Sequence, residues 1–146
     1  MNTTHPIFLR PAAWLAAALL GTLTACAMPG AGGPAPLVGS EWLLEDLGGS
    51  AALDRVQATL AFPEAGRVAG HGSCNRFFGS YTLMNDRISL GQMGSTRMAC
   101  AGPVGEQENR YLAALGKAER VEVQGSTMLL HVQGMDKPLR LRRIKP

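Results

Sequence analysis

Short runs of alternating apolar and polar residues fill the chain from Glu41 to Arg143, and turn residues separate these runs. A period of two is typical of β-strands that bury one face and expose the other. The alternation predicts strands over Glu41–Leu47, Thr59–Phe62, Arg67–Gly70, Met93–Thr96, Val121–Val123, Thr127–Val132 and Leu139–Arg142.

The clearest hairpin lies in the middle of this region. Ser80–Met84 and Arg87–Leu90 both alternate, and only Asn85 and Asp86 separate them. Both residue types tolerate a positive φ, which the favoured two-residue hairpin turns require.

One segment has a helical period instead. Val104, Tyr111, Leu112 and Leu115 fall on a single stripe. Pro103 suits a first helical turn, Glu106 and Glu108 suit the positive end of the helix dipole, and Gly116 predicts the C-terminal stop. One helix among many strands predicts an α+β domain that is mainly β, with a sheet curled around the helix or closed toward a barrel.

The N-terminal part of the chain has the pattern of an exported lipoprotein. Arg10 precedes an apolar run of about ten residues, which is shorter than the roughly 20 that a membrane-spanning helix needs. The run leads into Leu23-Thr24-Ala25-Cys26, which resembles a bacterial lipobox. We therefore expect residues 1–25 to be a signal peptide and Cys26 to carry the lipid. An ordinary signal peptide, or an uncleaved anchor with Cys26 incidental, is the alternative.

Residues 26–36 are rich in Gly, Pro and Ala and offer almost nothing to bury, so we expect a flexible tether there. Residues 37–146 remain as one folded domain, which is enough for a single modest core. Ala27 directly after the cysteine favours the outer membrane, with the domain facing the periplasm, if the envelope has two membranes.

The distribution of charge and the absence of known catalytic and nucleotide-binding motifs argue against several classes of function. The formal charge of the whole chain is +3, but from Leu37 to Leu139 there are 9 basic and 11 acidic residues. Both this mildly acidic body and the expected export argue against nucleic-acid binding. The sequence holds no phosphate-binding loop, HExxH or GxSxG motif. We expect no catalytic residues, no cofactor and no metal, and hence no enzyme.

Export also decides how the remaining cysteines are interpreted. Cys74 and Cys100 are left once Cys26 is acylated, and two thiols in an oxidising compartment predict a disulfide. A metal site that uses the spacing of His71 and Cys74 is one alternative. A cysteine nucleophile with His71 as its base is another.

Four ordered motifs carry a resemblance to a known family: Trp42-x-Leu44, Gly72–Tyr81 with its Cys-Asn-Arg-Phe core, Ser95–Cys100, and Glu108-x-x-Tyr-Leu-x-x-Leu115. The domain resembles the META domain (HslJ-like), formerly a domain of unknown function. The resemblance implies a small, strongly curved antiparallel sheet, or partial barrel, with one α-helix. Members are linked to heat or antibiotic stress and to envelope upkeep, and the family has no agreed catalytic activity.

The motif residues Asn75, Arg76, Thr96 and Arg97 form the candidate binding or structural site. Asn75 suits a left-handed position in a chain reversal between Gly72 and Gly79. Arg76 is expected to bond carbonyl groups or Glu108, and the disulfide is expected to hold Thr96 and Arg97 against the same loop. The site is then either a packed corner or an arginine-lined surface for an anionic partner.

Three aromatic residues near this motif, Phe77, Phe78 and Tyr81, are expected to pack in the core and the hairpin, because a small core needs the few aromatics available.

The resulting hypothesis is a non-enzymatic, lipid-anchored envelope protein that supports envelope stress or antibiotic tolerance by binding an envelope component. Its expected partners are membrane lipid, through acylated Cys26, and an unknown envelope protein or small hydrophobic ligand. The alternative is a carrier or pilot-like protein that holds an acyl chain or hydrophobic peptide in the curled sheet.

Overall fold

The computed structural model describes Met1 and residues 37–146. The predicted signal peptide, the lipidated Cys26 and the tether lie outside the described residues. The elements are β1 Glu41–Leu47, β2 Thr59–Glu64, β3 Arg67–His71, β4 Arg76–Met84, β5 Arg87–Leu90, β6 Gly94–Ser95, α1 Gly102–Leu115, β7 Ala118–Gln124, β8 Thr127–Val132 and β9 Leu139–Lys145. Within these residues no helix is long and apolar enough to cross a membrane.

Eight of the strands form a closed antiparallel barrel. Their order is β3-β2-β1-β9-β8-β7-β5-β4, and pairing of β4 with β3 closes the ring. The short β6 pairs with β4, along the edge of β4 that also pairs with β5. The prediction of a strongly curved, mainly β sheet with one helix is confirmed, and the curvature continues to full closure.

Side chains fill the interior of the barrel. Trp42, Leu60, Phe62, Met128 and Leu141 are all fully buried. The ring of Tyr81 packs edge-on against that of Phe62, with centroids 5.0 Å apart. Eight strands enclose a space just wide enough for side chains, so this interior does not favour the carrier hypothesis.

The helix α1 lies across one end of the barrel. Tyr111 packs edge-on against Phe77 near the start of β4, with ring centroids 6.3 Å apart. Ala114 shares a depression of about 310 Å³ with Leu47, which ends β1, and Val132, which ends β8. Because the strands are antiparallel, these termini lie at the same end of the barrel.

The predicted helix stripe is buried to different depths along its length. Tyr111 and Leu115 are fully buried and Leu112 packs against the core half-buried, while Val104 is half-buried in the first turn. The buried face includes Gln107 and Glu108 as well, because α1 lies against backbone N–H groups of Leu53, Cys74 and Asn75 in the connections between strands. The sequence pattern could not show this, since apolar periodicity ignores polar side chains that are buried with partners.

The helix ends also differ from expectation. Pro103 is in the first turn as predicted, but no acidic residue is, because the helix begins at Gly102. Glu106 and Glu108 therefore lie past the turn where the dipole acts most strongly. Gly116 ends the helix in the right-handed region, at φ −65°, so it is not a left-handed stop.

Candidate functional site

The Gly72–Asn75 turn joins β3 to β4 and lies against the helix. The N–H of Gly72 donates to the carbonyl of Asn75 at 2.7 Å. The positive φ of this turn, 127°, belongs to Ser73, so the expectation of a left-handed Asn75 is wrong. The reversal is also shorter than expected, because Arg76 already begins β4.

Glycine is required at position 72 by the approach of the helix. A Cβ at Gly72 would lie 2.8 Å from Cγ of Glu108, which is closer than real Cβ contacts. The missing side chain lets the Glu108 carboxylate reach the backbone of the turn.

Glu108 is bound by donors from this turn. Its Oε2 accepts the N–H of Asn75 at 2.6 Å and that of Cys74 at 2.9 Å. Its Oε1 accepts Nδ2 of Asn75 at 2.7 Å. Burial raises the pKa of Glu108, but the bonds from Asn75 and Cys74 together outweigh it and hold the pKa below its ordinary value.

This arrangement corrects the role expected of Arg76. Its side chain is exposed, and its guanidinium makes no hydrogen bond or ion pair with any described residue. The reason is strand alternation: Phe77 faces the core, so Arg76 faces outward. Asn75, one residue earlier, pins the helix instead.

The Asn75 amide also holds the segment that precedes the helix. Its Oδ1 accepts Oγ1 of Thr96 and the N–H of Met98, each at 2.8 Å. Its Nδ2 donates to the Met98 carbonyl at 3.3 Å and lies 3.2 Å from Sγ of Cys100. The side-chain amide bonds Met98 much as a neighbouring peptide group would. Both its oxygen and its nitrogen have hydrogen-bond partners within the fold.

A disulfide joins the same two segments. Cys74 and Cys100 are bonded, with their Cα atoms 6.3 Å apart. Cysteines in a disulfide are not thiolates, so this bond argues against both the metal and the nucleophile alternatives. Across the described part of the chain, no group of three His, Cys, Asp or Glu residues could hold a metal ion.

Gln107 forms a second polar link between helix and barrel that the sequence analysis missed. Its Oε1 accepts the N–H of Leu53 at 2.7 Å, and its Nε2 donates to Oγ of Ser73 at 2.8 Å. Gln107 precedes Tyr111 by four residues, and residues at this spacing lie on the same side of a helix. This spacing could have predicted that Gln107 lies on the side of α1 that faces the barrel.

Two large apolar side chains stand exposed next to this corner. Phe78 is 65% exposed and Met98 is 60% exposed. The ring of Phe78 lies over Gly94, where a Cβ would come within 3.0 Å of it. The expectation of buried aromatics is confirmed for Phe77 and Tyr81 and wrong for Phe78.

The exposed side chains of Arg76, Phe78, Arg97 and Met98 define what we call the arginine–aromatic face. Arg76 and Phe78 occupy successive outward positions of β4. The N–H of Thr96 donates to the carbonyl of Arg76 at 3.0 Å, which brings Arg97 and Met98 alongside. Arg97 and Met98 also line a depression of about 320 Å³.

Comparison with known proteins identifies the family of this chain. The profile described as META domain matches residues 35–144. The chain belongs to the META domain family. No match is found among curated proteins.

Two solved structures share the META fold of this chain. One is an NMR structure of a protein from Burkholderia xenovorans; it is 28% identical, with a TM-score of 0.61, and the match covers 80% of this chain and 96% of that one. The other is also an NMR structure; it is 25% identical, with a TM-score of 0.60, and the match covers 73% of this chain and 90% of that one.

Three of the four motifs converge at one corner of this META domain. The Gly72–Tyr81 motif supplies the turn, Ser95–Cys100 supplies the segment that Asn75 holds, and Glu108 comes from the helix motif. Trp42 of the remaining motif lies in the core. Asn75, Thr96 and Glu108 therefore build the corner, and Arg76 and Arg97 are left at its surface.

Proposed function

We propose that this META domain protein is a non-enzymatic binding module, anchored by lipid on Cys26 to the outer membrane and facing the periplasm. By binding another envelope component, it supports tolerance of envelope stress or antibiotics. The lipobox, the expected tether and the family membership support this proposal.

The observation that carries the binding role is the composition of the arginine–aromatic face. Phe78 and Met98 expose more than half of their surface, and aromatic residues and methionine are enriched in protein interfaces relative to the rest of the protein surface. Arg76 and Arg97 form no ion pair with the residues described, so neither guanidinium group is neutralised by a carboxylate of this part of the fold. Arginine and aromatic residues are enriched at the energetic centres of interfaces.

A protein surface fits this face better than a small molecule does. Arg76 and Phe78 stand on the outer side of β4, and the depression beside Arg97 and Met98 is lined mainly by polar residues, whereas small ligands prefer concave, mostly apolar sites. A guanidinium group bonds a carboxylate with two parallel hydrogen bonds. The partner we propose is an envelope protein with carboxylates next to an apolar patch.

Site-specific photocrosslinking tests the face. A photoreactive residue is placed at Phe78 or, as the matched control, at Met84, which is also exposed on the outer side of β4. We expect a discrete crosslinked protein from position 78, and its loss when Arg76→Glu and Arg97→Glu are combined. The proposal would be contradicted if positions 78 and 84 gave the same crosslinked product. It would also be contradicted if the yield from position 78 were unchanged by the two arginine-to-glutamate substitutions.

The anchor is tested separately. Cells that make the full chain are labelled with a radioactive fatty acid, with the Cys26→Ala variant in parallel. Label on the wild-type protein alone supports lipidation at Cys26, and equal labelling of both proteins contradicts it.

A further inference from the structure

The exposed large apolar side chains of the domain fall into two groups at opposite ends of the barrel. Phe78 and Met98 lie near the end that α1 covers. Val38, Met84 and Ile144, which are 50%, 75% and 46% exposed, lie at the other end; we call these three the apolar rim. A second apolar group at the far end is not explained by the arginine–aromatic face.

Both chain termini of the folded domain lie at this second end. Strand β1 starts there and β9 finishes there, with Glu41 paired to Lys145. A Cβ on Gly39 would lie 3.9 Å from the carbonyl oxygen of Pro146. The segment that connects the domain to Cys26 therefore joins it beside the apolar rim.

Ile144 is exposed because the β1–β9 ladder contains a bulge. Trp42 pairs with Arg143 and Glu41 pairs with Lys145, which leaves Ile144 as an extra residue without a partner. A bulge of this kind changes the direction of a side chain relative to the regular in-and-out alternation of a strand, and here the side chain of Ile144 is exposed. Arg143 meanwhile lies over the Trp42 ring, 4.4 Å from its centroid, and covers the core at this end.

The connection to the lipid is short. Residues 26–36 number eleven, and the covalent dimensions of a polypeptide limit eleven residues to a span of at most about 40 Å. A surface held that close to its target is at millimolar effective concentration, so weak apolar contacts are enough to keep it there.

We propose that the apolar rim docks on the bilayer that holds the lipid anchor, with Val38, Met84 and Ile144 in the interfacial layer. This inference rests on the proposed lipidation of Cys26. Lys145 and Arg87, which neighbour Ile144 and Met84, lie at the same end and can meet lipid phosphates. The arginine–aromatic face then points away from this membrane, where a partner in the periplasm can reach it.

Two positions on the same strand give a matched test. Met84 and Phe78 are both exposed on the outer side of β4, six residues apart, which is about 20 Å along a strand. With Cys26 acylated and Cys74 bonded to Cys100, a cysteine introduced at either position is the single reactive thiol. An environment-sensitive fluorophore is attached to Met84→Cys or Phe78→Cys in the lipidated chain.

The labelled proteins are reconstituted in vesicles of phosphatidylethanolamine and phosphatidylglycerol that contain nitroxide-labelled lipid. We expect quenching at position 84 to exceed that at position 78 at least about three-fold, because the two sites differ in depth by about half a bilayer core. Adding Val38→Glu and Ile144→Glu, both at exposed sites, should reduce the quenching at position 84 to that at position 78.

Equal quenching at the two positions, or stronger quenching at position 78, overturns the docking. Vesicle flotation separates this result from failure of the anchor. A chain that floats with the vesicles but shows equal quenching refutes only the orientation, whereas a chain without acyl groups that does not float refutes the anchor and the docking with it.

Discussion

Asn75 bonds Glu108 twice, through its backbone N–H at 2.6 Å and its side-chain Nδ2 at 2.7 Å. One carboxylate on the helix therefore fixes both the turn between β3 and β4 and the orientation of the amide that holds Met98. Because buried polar groups are costly when a partner is lost, this pair links the stability of the barrel end to the shape of the exposed face.

Replacing Glu108 with glutamine tests that link. Glu108→Gln removes the charge and places an amide donor against a donor of Asn75 or of the turn. Hydrogen bonds to charged groups contribute about 1.5–3 kcal/mol, so we expect the free energy of unfolding to fall by about 2–3 kcal/mol. Urea denaturation measures it. Glu106→Gln, at an exposed position of the same helix, is the control and should change stability by less than about 0.5 kcal/mol.

The same carboxylate predicts how stability changes with pH. The Glu108 pKa is lower in the folded protein than its ordinary value of 4.5, because the bonds from Asn75 and Cys74 outweigh burial. The stability that Glu108 contributes is therefore fully present above pH 4.5 and is lost as the pH falls through the folded-state pKa. Thermal melts across this range should show the wild-type protein and Glu108→Gln converging toward acid pH. A constant difference between them would contradict this assignment.

The disulfide supports the same corner by a different route. Cys74 and Cys100 are separated by 26 residues, and closing a loop of that length stabilises a fold by about 3.5 kcal/mol in the chain-entropy account. We expect Cys74→Ser combined with Cys100→Ser to lower the unfolding free energy by about 2–4 kcal/mol. The wild-type protein in a reductant should lose a similar amount. If reduction has no effect on the wild-type midpoint, the bond does not stabilise the domain.

The sequence predicted the strands well because their signal is local. In β4 and β5, the Asn85-Asp86 turn and the alternation around it required no knowledge of the rest of the chain, and Asn85 does take a positive φ of 57°. Closure of the barrel depends instead on the pairing of β1 with β9 and of β5 with β7, which join residues far apart in sequence.

The site was harder to predict, for a physical reason. The motif residues were found, but the charge of Arg76 made it the expected partner of Glu108, and the outward position of Arg76 was overlooked. Phe78 was misplaced in the same way. Its neighbours Phe77 and Tyr81 are buried four residues apart, and strict alternation from either one puts Phe78 outside. For Arg76 the charge, and for Phe78 the hydrophobicity, was given more weight than the register of the residue in β4.

Replacing Gly70 and Gly116 with alanine should change the stability of the domain in opposite directions, because their surroundings differ. A Cβ at Gly70 would overlap the Thr59 carbonyl oxygen and would lie 2.8 Å from the ring of Phe77, so Gly70→Ala should cost at least about 3 kcal/mol. Gly116 has a right-handed φ of −65°, and its nearest contacts are at 3.7 Å. Gly116→Ala should therefore stabilise the domain by about 0.5–1 kcal/mol. Melting temperatures test both predictions: that of Gly70→Ala should lie below the wild-type value, and that of Gly116→Ala should lie above it.

The neighbouring phenylalanines provide the sharpest check of the arginine–aromatic face. Phe77 is 2% exposed and packs against Tyr111, so Phe77→Ala should lower the unfolding free energy by about 3–5 kcal/mol. Phe78 is 65% exposed over Gly94, so Phe78→Ala should cost less than about 1 kcal/mol, while it should abolish crosslinking of the partner in membranes from a photoreactive residue at Met98. Urea titration of the pair measures the first difference. A loss of stability from Phe78→Ala as large as that from Phe77→Ala would show that this ring is needed for packing, and the face would then have no exposed aromatic to offer a partner.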